Sequence, residues 1–199
     1  MAKTHVLLDI DGCVLDWEKG LKQFISQHCP HIATAQGVDQ QEYDLAKRYA
    51  ISKAQANQLI WNYHTHKSFA ELDALPNAQQ ALQLLADNFC LVAITACGSY
   101  PLTQQMRKQN LHSLFPHVFL DIHCTDSFEQ KRNYLAQYSP GFWIEDHANN
   151  ALMGLDYDHQ CLLIDQPHNR HLDHPLVTRV TDLQQAADLI LSLSHSSYH

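Results

Sequence analysis

The chain has 199 residues, 45% of them hydrophobic and 17% charged, and a formal net charge of −8. Those proportions exclude a wholly disordered polymer, and the acidic balance argues against a nucleic-acid polymer or an anionic membrane as partner. A small anionic substrate in a local pocket stays open, and a chain of this length buries about 70% of its unfolded surface without disulfides or a structural metal.

The first predicted element is Val6-Leu7-Leu8, an apolar run with no signal-peptide layout before it, ending at Asp9. From 16 to 75 nothing reads as a strand. Helices are predicted there around 17–28, 40–50 and 52–64, the last opened by the capping box Ser52-Lys53-Ala54-Gln55. A helix with Ala81, Leu82, Leu84 and Leu85 as its apolar face follows Asn77-Ala78-Gln79-Gln80, again patterned as a capping box. Leu91-Val92-Ala93-Ile94 before Thr95 is the second strand, and Val118-Phe119-Leu120 before Asp121 a weaker one. Ser127 to Gln130 patterns as a capping box ahead of Lys131. Phe142-Trp143-Ile144 before Glu145-Asp146, and Cys161 to Ile164 before Asp165, complete the strands. Thr181 to Gln184 opens a last helix, and 194–199 is expected to fray.

Strand runs that are apolar throughout suit a parallel sheet covered on both faces. Their alternation with helices predicts a doubly wound, Rossmann-like α/β fold. Residues 1–15 and 76–199 form the expected core, with a small all-helical insert at 16–75. The six cysteines are scattered, with no C-x-x-C pair, and read as buried residues of a reducing compartment. His64/His66 and His168/His171/His174 have ligand-like spacing, but Pro167 and Pro175 put the second set in a loop.

In an open parallel sheet, ligands bind beyond the carboxyl ends of the strands. Those ends carry Asp9, Asp11, Thr95, Glu145 and Asp146. Two carboxylates within three residues repel unless a cation or protons lie between them. With Asp146 added, the set offers the oxygen ligands Mg²⁺ prefers, and Gly12 permits the tight turn.

The motif Asp9-Ile10-Asp11-Gly12-Cys13-Val14 resembles the first motif of the haloacid dehalogenase (HAD) superfamily of aspartate-nucleophile phosphohydrolases. Ile94-Thr95-Ala96, Lys131 and Trp143-Ile144-Glu145-Asp146 resemble its second, third and fourth motifs in order. The resemblance implies Asp9 as nucleophile and Asp11 as proton donor and then base. It implies Mg²⁺ held by Asp9, the Asp11 backbone carbonyl and Asp146. Thr95, the Ala96 amide and Lys131 would bind phosphoryl oxygens, and Glu145 and Asn150 would orient the metal's waters. Many relatives carry an acidic residue or glycine where Asn150 stands here.

Asp11 disfavours dehalogenation, which needs no leaving-group acid. The insert has the placement of the superfamily's type-1 cap; of Trp17, Phe24, Tyr43, Tyr49, Trp61, Asn62 and Tyr63, most are expected to pack its own core and a few to meet substrate. No cap lysine is singled out for Schiff-base phosphonate chemistry. The segment from Leu162 to Arg170 is similar to the last strand and loop of the 5′(3′)-deoxyribonucleotidase-like branch. The expectation is therefore a cytoplasmic Mg²⁺-dependent phosphomonoesterase, its first substrate a nucleoside monophosphate. Phosphosugar phosphatase or mutase activity, or a silent phosphate-binding module, are the alternatives, and Asp165 with Arg170 serves either the substrate or a surface pair.

Overall fold

A computed structural model describes residues 3–33 and 42–196. Four apolar runs fall where the hydropathy puts them, as β1 (His5–Leu8), β2 (Cys90–Thr95), β4 (Phe142–Glu145) and β5 (Gln160–Ile164), while the weaker run at 118–120 is displaced, since β3 (Phe119–Cys124) runs on through Asp121 instead of ending before it. A sixth strand, β6 (Val177–Val180), was not foreseen. They form one parallel sheet in the order β3-β2-β1-β4-β5-β6. The chain leaves β1 toward β2 and β3, then returns to β4 on the other side of β1. The order therefore reverses between β1 and β4, the place where this architecture opens a crevice at its carboxyl edge.

Alternate side chains of the central strands feed two separate cores. Val6, Leu8, Leu91, Ala93, Phe142, Ile144, Leu162 and Ile164 pack on one face. Leu7, Val92, Ile94, Trp143 and Cys161 pack on the other. The first face is covered by α5 (Ala78–Asn88), which buries Ala78, Ala81, Leu82 and Leu85, and by α9 (Leu183–Ser196), which buries Leu183, Ala186, Ala187 and Ile190. Both helices show the same three-and-four spacing, a single apolar stripe turned to the sheet. The second face receives Leu135 of α7 (Lys131–Leu135) and Met153 of α8 (Ala148–Met153). The doubly wound expectation holds.

Helices occupy the stretch between β1 and β2: α1 (Trp17–His28), α2 (Pro30–Ala33), α3 (Leu45–Arg48), α4 (Lys53–His64) and a 3₁₀ turn at Lys67–Ala70. The helix expected over 40–50 begins only at Leu45, capped by the Asp44 carboxylate, while 40 and 41 lie outside the described residues. The two ends of the stretch meet: Asp16 N–H donates to Asp73 O at 2.9 Å and Leu75 N–H to Val14 O at 2.9 Å. Phe24 and Tyr63 are buried there, as expected of most of its aromatics, whereas Trp61 and Tyr43 are exposed. Gly20 makes the α1–α4 contact close, since a Cβ there would lie 2.2 Å from the Tyr63 hydroxyl.

Local signals were read less accurately than the strands. Ser52 and Gln55 do form the capping box of α4. Asn77 instead adopts a left-handed conformation (φ 64°) with no side-chain cap, because its backbone turn already aims the chain into α5. The last box is displaced by one residue: Asp182 accepts from Gln185 N–H, and the Gln185 side chain accepts from Thr181 N–H. At Ser127 the backbone carbonyl accepts from Gln130 N–H, while the Gln130 side chain accepts from Asp126 N–H. The C-terminal helix runs to Ser196, where fraying was expected to have begun; 197–199 lie outside the described residues. No helix among the described residues is long and apolar enough to cross a membrane.

Candidate active site

Asp9 follows β1, and its N–H donates to Ile144 O at 2.9 Å, so the β1–β4 seam continues into the crevice. Its carboxylate lies 2.8 Å from the ammonium of Lys131, the first residue of α7, which reaches Glu145 at 2.6 Å as well. Lys131 and Glu145 are fully buried. A buried cation between two carboxylates needs its anions in register, and the sheet provides it by ending β1 and β4 side by side. Burial works to lower the Lys131 pKa, but Asp9 and Glu145 outweigh it and the ammonium is held well above its usual range.

Glu145 uses its remaining lone pairs locally. It accepts from Asp146 N–H (2.9 Å), His147 N–H (2.8 Å) and Asn150 Nδ2 (2.9 Å). The carboxylate that the resemblance assigned to metal waters is thus spent on Lys131 and on the turn that carries Asp146. Asn150 Oδ1 is buried without a partner. A second brace was missed in the sequence. Asn169, fully buried, donates to Asp146 O and Ile164 O, each at 2.7 Å, and His168 Nε2 lies 3.0 Å from Asp146 O. Asp165, by contrast, pairs with Arg170 and Arg179 at the surface, each at 2.9 Å.

Asp9 Oδ, Asp146 Oδ and the Cys13 sulfur offer ligand atoms all within 4.8 Å of one another. A Cβ on Gly12 would lie 2.2 Å from Asp146 Oδ2, so only glycine leaves that carboxylate its place. Desolvation and the neighbouring Glu145 push the Asp9 pKa up to about 6, against the pull of Lys131. The same burial, reinforced by Glu145 and Asp9, raises Asp146 well above the carboxylate range. Burial and then the Asp146 and Asp9 charges raise the Cys13 thiol, which keeps it neutral. Two buried carboxylates destabilised by their own proximity, beside a neutral thiol, fit a divalent cation that takes its ligands from the oxygens. Thr95, at the end of β2, is buried with its hydroxyl unpartnered, a donor available to an anionic ligand. Ala96, one residue beyond β2, is half-buried.

Asp11 parts company with Asp9. Its carboxylate accepts two hydrogen bonds from Arg107 of α6 (Pro101–Leu114), at 2.7 and 2.9 Å. Desolvation raises its pKa to about 6, with Arg107 opposing. Nothing in the sequence reading singled out Arg107, which looks like one more polar residue on a polar helix. Of the two histidine groups, His64 sits in a relay: Trp17 Nε1 donates to its Nε2 (3.0 Å), leaving Nδ1 to donate to Cys97 O (3.1 Å). Burial, with Arg107 nearby, lowers the His64 pKa to about 3.

The family model for 5′ nucleotidase, deoxy (pyrimidine), cytosolic type C protein matches residues 3–195. The chain belongs to that family. Its fold is that of the HAD superfamily, as the motif order implied. An uncharacterized 32.4 kDa protein of Enterobacteria phage T4 is 25% identical over 155 residues, covering 75% of this chain and 56% of that protein, so the match spans little more than half of the relative. Among solved structures, a haloacid dehalogenase-like hydrolase of Streptococcus pneumoniae superposes with a TM-score of 0.69 at 17% identity, over 96% of this chain and 98% of its own. The magnesium-bound HAD-hydrolase YfnB of Bacillus subtilis gives 0.59 at 16% identity, over 96% and 99%.

Proposed function

We propose that the protein is a magnesium-dependent phosphatase of nucleoside monophosphates working through an aspartyl-phosphate on Asp9. The observation that carries this reading is the separate pairing of two neighbouring acids: Asp9 lies against Lys131 at the base of the crevice, Asp11 against Arg107 toward its mouth. One is set as nucleophile, while the other, with 23% of its side chain exposed, is left for proton traffic.

Asp9 Oδ forms the bond to phosphorus as the ester oxygen leaves, and Asp11 gives that oxygen its proton. In the second half Asp11 takes a proton from the attacking water, phosphate departs, and the Asp9 carboxylate is restored. Such proton transfer contributes roughly 10²–10⁴-fold. Thr95 and Lys131 offset the negative charge spread over the phosphoryl oxygens. Asp9, Asp146 and the Asp11 backbone carbonyl would hold Mg²⁺, which when bound would supply the charge that lets an anionic nucleophile approach an anionic phosphate. Glu145, Asn150 and Asn169 hold the Asp146 turn in place.

Residues 16–75 act as the cap over a core made of 1–15 and 76–199, excluding water as they close. Tyr43 from this insert packs 5.0 Å from His147 and 4.7 Å from His168, ring centre to ring centre. Those rings give a planar leaving group aromatic surface beside Asp146. The substrate class follows the family, and six free cysteines support a reducing, cytoplasmic setting. The test is single-turnover trapping with Mg²⁺, followed by ranking nucleotides and phosphosugars by kcat/KM. Label on Asp9 and a preference for nucleoside monophosphates are expected; label on a histidine or serine overturns the mechanism, and a phosphosugar preference overturns the substrate.

A further inference from the structure

Three polar residues of α6, spaced four and three apart, share one helix face and are all buried: Thr103, Arg107 and Asn110. Thr103 Oγ1 donates to His64 O at 3.1 Å and Asn110 Nδ2 to Leu72 O at 3.0 Å. Both acceptors belong to the helical insert. Between them Arg107 donates through one terminal nitrogen to both oxygens of Asp11, and its guanidinium carbon lies 4.2 Å from the centre of the Phe69 ring, which is also in the insert. The other two guanidinium nitrogens are buried without partners. A helix that uses its buried face to grip the insert twice and a site carboxylate once is a mechanical link between them.

An arginine that served stability alone would be expected to satisfy its donors, because each buried donor left unmade is costly. Here the donors of two nitrogens go unmet while the third nitrogen fixes a carboxylate within two residues of Asp9. Asp11 has only two side-chain torsions, and near Asp9 and Lys131 its anion meets repulsion and attraction from the same quarter. The bond from Arg107 selects one of those orientations, and Phe69 sets where the guanidinium can lie.

We propose that Arg107 is a positioning residue that orients the Asp11 carboxylate and makes that orientation depend on the placement of the helical insert through Phe69. The proposal rests on Asp11 serving as the proton donor of the phosphatase reading.

A positioning role for the acid predicts a loss graded by leaving group. With Arg107→Met, the single-turnover rate of phosphoenzyme formation from an alkyl phosphate, whose leaving oxygen needs a proton, should fall ~10²-fold. On 4-nitrophenyl phosphate, whose leaving group departs unprotonated, that rate should fall less than ~5-fold; the later hydrolysis of the phosphoenzyme, in which Asp11 serves as base for both substrates alike, does not enter that rate. Arg107→Lys should recover most of the alkyl phosphate rate, and Phe69→Leu should show a weaker version of the same graded loss. An equal loss on both substrates, or no loss on either, overturns the proposal. If Arg107→Met fails to give a cooperative melt, the same ratio read on Arg107→Lys and Phe69→Leu decides it: a ratio unchanged from wild type in both overturns it. Wild-type protein that traps no phosphate on Asp9 overturns the phosphatase reading and this inference with it; trapped label with an unmoved ratio overturns the inference alone.

Discussion

The base of the crevice and the seam beneath the helical insert handle buried charge in opposite ways. At the base, Lys131 divides its contacts between Asp9 and Glu145, and Glu145 passes the constraint on to Asn150 and two backbone N–H groups. At the seam, Arg107 works through a single nitrogen and rests its flat face on Phe69. The first arrangement loses several interactions if any member moves. The second leaves two guanidinium nitrogens unmet and meets the insert through one hydrogen bond each from Thr103 and Asn110. The denser bonding lies at the base of the crevice, and the sparser where the insert meets the core.

Substitutions can break this contrast, and the largest effect is expected at the base. Asp9→Asn should lower phosphate release on the order of 10⁴-fold or more and abolish phosphoenzyme trapping with the fold intact. Retained turnover would remove Asp9 from the chemistry. Lys131→Met strands two buried carboxylates and should cost about 3–5 kcal/mol in urea unfolding, part of it recovered in the double variant with Glu145→Gln. Arg107→Met, facing one partly exposed acid, should cost only about 1–2 kcal/mol. Equal costs would erase the distinction between base and seam.

Asn169→Ala removes the clasp on Asp146 O and Ile164 O. It should destabilise by about 1–3 kcal/mol and weaken Mg²⁺ binding roughly tenfold in calorimetry. Unaltered binding would confine Asn169 to stability.

The mildest effect concerns acid. The folded pKa of His64 is depressed to about 3 from an ordinary 6.5, so between those values the unfolded chain takes up a proton that the native state refuses. Its contribution is intact above pH 6.5 and erodes as the pH falls, on the order of 1–2 kcal/mol by pH 5. His64→Gln should therefore lose less Tm than wild type between pH 7 and pH 5. Asp9 and Asp11, whose raised values act in the reverse sense, are common to both proteins and cancel in the difference. Parallel Tm profiles would show that His64 titrates normally.

What could be read beforehand follows from how burial writes itself into sequence. β1, β2, β4 and β5 are covered on both faces, so they are unbroken apolar runs. β3 and β6 lie at the edges, with Leu120, Thr178 and Arg179 exposed, and their patterns faded accordingly. Asp9, Asp11 and Glu145-Asp146 announced themselves because paired acids straight after apolar strands are hard to explain otherwise. Arg107 and Asn169 did not, since a buried polar side chain has the same letter as a solvated one. Only the partners distinguish them, and those partners lie far away along the chain.

The adjacency of β1 and β4 also governs timing. Asp9 is made before Asp146 and the strand that delivers it, with β2 and β3 synthesised in between. A nascent chain on the ribosome therefore holds Asp9 before it holds the rest of the cradle. On the proposed reading, hydrolytic capacity waits until the returning strand docks against the founding one, so a chain that stops short of β4 lacks the assembled site.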